Sequence, residues 1–176
     1  MTLGLLIRDA VDDDHDALHG LIASAFERDD EAQLMRKLWS ECAVEIEMVA
    51  ETGGAVVGYC AFTPISCKPD LDGLLLGLGP LAVAPEHQRQ GVGAALVQKG
   101  LQECRTRNAR LIAVLGDADY YARFGFEPAA KRKMTWAGFD AGDAFRVIAR
   151  EDDKFGRVTP DEIRTIHYHN AFDMVS

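Results

Sequence analysis

Two apolar runs, Leu74 to Val83 and Leu111 to Leu115, bracket a stretch whose apolar residues recur at helical spacing. A strand, a helix and a second strand joined at this length close as a parallel pair with a right-handed crossover. The second run shows no polar alternation, as expected of a strand buried on both faces. The first is interrupted by Gly77 and Gly79, which suggests a bulge or a close backbone approach. The helix between them starts near Gly91 and presents Ala94, Val97, Leu101 and Cys104 on one face. This unit places the chain in the α/β class.

The first half adds two helices and a hairpin. Leu5-Leu6-Ile7 reads as a short strand, followed by Asp12, Asp13 and Asp14, which favour a helix start. Leu18, Leu21, Ile22, Ala25 and Phe26 then form an apolar stripe, and Leu34, Met35, Leu38 and Trp39 form another. Asp30 with Gln33 resembles a capping box for the second helix. The period then changes to two. Val44, Ile46, Met48 and Ala50 alternate with a mostly acidic set that includes Glu45 and Glu47, read here as solvated. Thr52-Gly53-Gly54 turns the chain into a returning strand, Ala55 to Phe62. Tyr120 to Phe124 fits a short helix stopped at Gly125, and Met134 to Trp136 and Phe145 to Ala149 fit two late strands. Past Glu151 the pattern assigns no element.

A length of 176 residues suits one domain, residues 1–176. The net charge of -9 argues against a broad phosphate-binding face, so no nucleic-acid partner is expected. It is compatible with cationic substrates. No apolar stretch is long enough to span a membrane. The N-terminus reads as a strand instead of a signal peptide, and the expected location is cytoplasmic. Cys42, Cys60, Cys67 and Cys104 form no CxxC pair and read as buried thiols of a reducing compartment. His15 and His19 stand one helical turn apart but lack a third ligand, so a solvated face and no metal are expected. His167 and His169 are read the same way.

The segment that carries chemistry runs from Leu78 to Ala94. A strand ends, a polar loop from Pro85 to Gln90 follows, and Gly91 and Gly93 open the helix. The first helical turn has backbone N–H groups without internal partners, at the positive end of the dipole. Glycines there let a phosphate or pyrophosphate approach the backbone, and Arg89 could add charge. No Gly-Lys-Ser/Thr follows, so this is no P-loop. The dinucleotide fingerprint needs a third glycine where Leu96 stands, which disfavours a nicotinamide-dependent oxidoreductase. Two glycines alone leave an ordinary glycine-opened helix open as an alternative.

The longer pattern narrows the choice. Gln88-Arg89-Gln90-Gly91-Val92-Gly93 resembles the Q/R-x-x-G-x-G/A signature of the GNAT superfamily of N-acetyltransferases. Leu81-Ala82-Val83 resembles the family's preceding strand, and Tyr120-Tyr121-Ala122-Arg123-Phe124-Gly125-Phe126 its tyrosine, helix, Gly-Phe segment. The wording of both segments looks closest to a small bacterial branch of GNAT acetyltransferases. The resemblance covers most of the chain and implies a central mixed sheet of about six or seven strands flanked by helices.

It also implies roles. Gln88, Arg89, Gln90, Gly91, Val92, Gly93 and Ala94 would bind the pyrophosphate of acetyl-coenzyme A, and Leu81, Ala82 and Val83 would pair with its pantetheine arm. A strand N–H there would polarise the acetyl carbonyl. Tyr121 matches the tyrosine that protonates the leaving thiolate; a phenol with a pKa of about 10 stays protonated at neutral pH. Tyr120 would be core or surface, and Asp117 a candidate cofactor or substrate contact. Glu86 and His87 read as exposed loop residues. The implied activity is transfer of the acetyl group to a primary amine by direct attack in a ternary complex. A non-catalytic acyl-coenzyme A sensor is the alternative. The acceptor, a small molecule or a protein amine, is unassigned, as is the general base; a homodimer is a further expectation.

Overall fold

The computed structural model describes residues 4–152, 158 and 162–175. Its elements are β1 (Leu6–Asp9), α1 (His15–Phe26), α2 (Asp30–Ser40), β2 (Ile46–Thr52), β3 (Ala55–Pro64), β4 (Ser66–Lys68), β5 (Leu74–Val83), α3 (Val92–Thr106), β6 (Ala109–Leu115), α4 (Ala118–Ala122), β7 (Glu127–Pro128), β8 (Met134–Trp136), β9 (Phe145–Ala149) and β10 (Arg164–His167). Seven strands form a mixed sheet in the order β1-β2-β3-β5-β6-β9-β7. The β5–β6 pair is parallel and the β6–β9 and β7–β9 pairs are antiparallel. A second sheet, β4-β10-β8, contains the strand expected at Met134–Trp136, while β4 and β10, three and four residues long, had not been read from the sequence. Part of the unread segment after Glu151 thus forms β10. Residues 153–157 and 159–161 lie outside the described set.

Two compact units share the chain. The first comprises Met1–Phe62, Pro80–Glu103 and Asn170–Ser176; the second comprises Thr63–Gly79 and Cys104–His169. In the first, Leu18 and Ile22 of α1 and Leu34, Met35 and Leu38 of α2 pack with Val49, Tyr59, Ala61 and Ala82. A short 3-10 helix, Asn170–Val175, joins this core through buried Ala171. In the second, Leu111 and Ala113 of β6 and Val147 of β9 are fully buried. Burial on both faces matches the uninterrupted apolar reading of β6.

The helix face of α3 follows the sequence reading at Val97, Leu101 and Cys104 and departs from it at Ala94. Val92, Leu96, Val97, Leu101 and Cys104 are buried, whereas Ala94 is half-buried. Two glycines bring this helix onto β3. A Cβ at Gly58 would lie 2.9 Å from Leu96 Cδ1 and 3.0 Å from Val92 Cγ1. A Cβ at Gly100 would lie 2.3 Å from the Phe62 ring. Mid-helix glycine costs about 1 kcal/mol relative to alanine, and here it permits the close contact.

Several local readings are corrected. Asp29, not Asp30, holds the N-cap position of α2 without a side-chain cap; its backbone carbonyl accepts the Gln33 N–H at 2.9 Å and its carboxylate accepts the Gln33 side-chain amide at 2.7 Å. Asp12, Asp13 and Asp14 do start the helix, as a 3-10 turn that runs into α1, and the Asp14 carboxylate accepts from Arg8 at 2.7 and 2.9 Å and from the Val11 N–H at 2.9 Å. Cys42 is exposed in a turn with φ of 52°, outside the buried set formed by the other three thiols. Among the described residues no helix is long and apolar enough to cross a membrane.

Gly100→Ala is expected to lower stability by about 1–3 kcal/mol through overpacking against Phe62. Gly20→Ala, exposed in α1 with nothing within 4 Å of its missing Cβ, is expected to raise it by about 0.5–1 kcal/mol. Urea unfolding of the two variants should move in opposite directions. The Arg8 hydrogen bonds hold the Asp14 carboxyl below its usual range. That contribution is present above the unfolded carboxyl pKa and lost as pH falls through the lower folded value. The stability gap between wild type and Asp14→Asn should therefore narrow as acid unfolding is approached.

Candidate active site

The glycine loop belongs to the first unit. After β5, Ala84 donates its N–H to the Val57 carbonyl at 2.9 Å, then Pro85–His87 form a single 3-10 turn. Gln88 is extended, and Arg89 and Gly91 take φ of 57° and 89°. Only glycine adopts the second of these without strain. A Cβ on Gly91 would meet nothing within 4 Å, so open space lies beside this backbone. The Gly91 carbonyl accepts the Ala95 N–H at 3.0 Å, and the N–H groups just ahead of Ala95 have no intrahelical acceptor by geometry. This is the arrangement that suits a phosphate group.

The predicted loop residues differ in what they do. Gln88 Nε2 donates to the Val83 carbonyl at 3.1 Å, and Gln90 Nε2 donates to the Glu86 carbonyl at 2.7 Å. Both side chains brace the loop. Val92 is buried against Gly58, which leaves only its backbone for a ligand. Arg89 is exposed, and Gly93 and Ala94 are half-buried in the first turn. Along the strand, Ala82 is buried and Leu81 and Val83 are half-buried, so the three alternate as a strand should. The β5–β6 ladder ends at Leu78↔Val114, while β5 continues to Val83. The Gly79 φ of 151° falls just where the ladder ends.

Tyr121 belongs to the second unit. Asp117 caps α4 by accepting the Tyr120 N–H at 2.6 Å. Tyr121 is 9% exposed. Its ring lies on the backbone of Gly116, where a Cβ would be 2.6 Å from Cε2, and it meets Phe126 edge-on with centroids 5.8 Å apart. The Tyr120 ring meets that of Tyr121 edge-on with centroids 5.0 Å apart and lies under the Arg123 guanidinium at 4.6 Å. Gly125, with φ of 92°, ends the segment, and buried Arg146 holds the Phe126 carbonyl from Nε at 3.2 Å and Nη2 at 2.9 Å.

Two features here escaped the sequence. Arg146 sits in an apolar strand and gives no motif. Tyr168, just after β10, lies in the unread tail. Its ring packs on the backbone of Gly77, where a Cβ would be 2.4 Å from Cε1. Burial, with a smaller contribution from Tyr121, pushes the Tyr168 phenol far above its ordinary range, so it stays protonated. Gly77 thus makes room for an aromatic ring. His15 is also corrected: it stacks on Trp39 with centroids 4.0 Å apart, whereas His19 approaches Asp29 at 3.4 Å. Among the described residues, no group of three His, Cys, Asp or Glu side chains could hold a metal ion.

Comparison with known proteins places this geometry. Residues 33–128 match the model of the acetyltransferase (GNAT) domain. The uncharacterized N-acetyltransferase YhbS of Escherichia coli is 33% identical over 172 residues, covering 96% of this chain and 99% of YhbS. The crystal structure of YhbS in complex with CoA superimposes with a TM-score of 0.86 at 32% identity, covering 98% of this chain and 94% of that one. A GNAT family acetyltransferase of Brucella melitensis in complex with acetyl-CoA gives 0.77 at 29% identity, covering 97% of this chain and 99% of that one. A domain match across more than half the chain, with YhbS similar over nearly its whole length, makes this chain a member of the GNAT family of acetyltransferases.

Proposed function

We propose that the whole chain, residues 1–176, works as one acetyltransferase domain that moves an acetyl group from acetyl-CoA to a primary amine by direct attack. The carrying observation is the turn into α3, where Gly91 combines a positive φ with open space beside the unpaired amides of a long helix. The relatives crystallised with CoA and acetyl-CoA support the same co-substrate. Acetyl-CoA supplies the acetyl group, and its sulfur leaves as a thiolate.

The chain's own residues divide the work. Backbone N–H groups from Gly91 to Ala94 and the Arg89 side chain take the pyrophosphate. Leu81, Ala82 and Val83 offer strand backbone to the pantetheine arm, beyond the end of the β5–β6 ladder. A backbone N–H in this strand end polarises the acetyl carbonyl. Tyr121 Oη gives its proton to the departing thiolate. Its support is the shell of Gly116, Phe126 and Tyr120, which restrains the ring.

Gly91→Glu is expected to weaken acetyl-CoA binding by at least about 100-fold, read by calorimetry, by setting a carboxylate against the pyrophosphate. Gly91→Ala carries the same backbone strain without the charge and should bind more tightly than the glutamate variant; equal losses would remove the phosphate assignment. Tyr121→Phe keeps the packing and should reduce kcat by about 100-fold or more while leaving the acetyl-CoA Kd within about twofold. Full turnover by a folded Tyr121→Phe protein would reduce Tyr121 to a packing residue.

A further inference from the structure

Two phenols of the second unit are seated on glycine. The Tyr168 ring lies on Gly77 of β5, where a Cβ would be 2.4 Å from Cε1 and 2.6 Å from Cζ. The Tyr121 ring lies on Gly116, just past β6, where a Cβ would be 2.6 Å from Cε2 and 3.7 Å from Cζ. Alanine at either place would push a ring from its seat.

The two seats flank one rung of the sheet. Gly77 pairs with Ala113, and the β5–β6 ladder ends one residue later, at Leu78↔Val114. Gly116 follows two residues after Val114 and donates its N–H to the Ala144 carbonyl at 3.0 Å. With the strand rise and spacing of a parallel pair, Gly77 and Gly116 are about 11 Å apart. One glycine precedes the last rung and the other follows it. Each Cζ stays within 4 Å of its seat, so both hydroxyls are confined to the place where the ladder ends.

The two phenols are not equivalent. Tyr168 Oη is buried, and burial together with the nearby Tyr121 keeps it protonated. A phenol that keeps its hydrogen is a donor, and that hydrogen turns about the C–O bond to face an acceptor. The charged groups on the elements around Tyr121 are engaged elsewhere. Asp117 accepts the Tyr120 N–H, Arg123 lies over the Tyr120 ring, and Arg146 donates to the Phe126 and Asp143 carbonyls. His167 and His169 are the chain neighbours of Tyr168, and Tyr121 is the titratable group that acts on it.

We propose that Tyr168 is a positioning residue for the acid: its O–H turns toward Tyr121 Oη and stabilises the negative charge left there when Tyr121 protonates the thiolate. In that step the Tyr121 O–H bond breaks and an S–H bond forms, which leaves a phenolate. The proton that the amine loses on acetylation then restores Tyr121. A dipole already in place where charge develops lowers the barrier without reorganisation during the step. This rests on the reading of Tyr121 as proton donor to the thiolate.

The test places 3-fluorotyrosine at the four tyrosines and follows them by fluorine NMR against pH. Fluorination eases phenol ionisation and keeps the titration away from alkaline unfolding. The Tyr121 signal is assigned by its absence in Tyr121→Phe, and the Tyr168 signal by its ring contact with Gly77. In the wild type the Tyr168 signal should shift at the Tyr121 midpoint. Tyr168→Phe keeps the ring on Gly77 and should raise the Tyr121 midpoint by about one pH unit, a roughly tenfold weaker acid. It should lower kcat by about tenfold and leave the acetyl-CoA KM within about twofold. In the Tyr121→Phe background the same substitution should change kcat by less than about twofold, because the group it acts through is gone.

A Tyr168 signal indifferent to Tyr121, an unmoved Tyr121 midpoint in Tyr168→Phe, or a further loss of kcat in the double variant overturns the proposal. So does a Tyr121 that fails to ionise before the protein unfolds, since such a phenol is not eased toward its charged form. The wild-type readout needs no Tyr168 variant, so misfolding of Tyr168→Phe cannot shelter the proposal. Full turnover by Tyr121→Phe overturns the acid reading and this proposal with it. A loss of turnover in Tyr121→Phe, with a Tyr121 midpoint that ignores Tyr168, overturns this proposal alone.

Discussion

The approach of α3 to β3 sets where the glycine loop can stand. Gly58 and Gly100 each leave out a Cβ that would strike Leu96, Val92 or Phe62, and the helix settles into the room they provide. The Cys60 thiol adds a contact to the Leu96 carbonyl at 3.7 Å. Because Val92 and Leu96 anchor the first two turns, the unpaired amides ahead of Ala95 are held against a rigid support. A phosphate site built from backbone needs that rigidity, since no side chain can adjust for a misplaced amide. Gln88 and Gln90 complete the arrangement by tying their side chains to the loop's own carbonyls.

The unit around Tyr121 solves the same problem differently. There the functional group is a side chain, and its precision comes from packing: glycine backbone beneath the ring and aromatic edges beside it. Arg146 reaches from β9 to the Phe126 carbonyl and secures the turn that follows α4. A buried guanidinium that donates to backbone alone is costly to place, and its position here ties it to the segment bearing Tyr121.

Features with a local period or motif were legible in the sequence. The Thr52-Gly53-Gly54 turn, the apolar β6 and the Gly91 opening of α3 all rest on short-range rules, and the structure bears them out. What was missed depends on residues far apart in the chain. Glu47 looked like the polar half of an alternating strand; only α1 and α2, folding over that face, turn it into a half-buried group. Gly100 looked like a weak point in a helix because Phe62 is 38 positions away. The β4-β10-β8 sheet joins the strand read at Met134–Trp136 to two segments too short to show a period. The one-residue error at Asp30 has another cause: Asp29 and Asp30 are adjacent and compete for one position, which Asp29 takes.

The placement of the last helical turn has a consequence for biosynthesis. Asn170–Val175 packs in the core of the first unit, with Ala171 fully buried beside α2. That core therefore lacks a component until Asn170–Val175 has followed α1 and α2 out of the ribosome. During that interval Leu34, Leu38 and their neighbours present an unfinished apolar surface, and the nascent chain depends on it staying covered or unengaged.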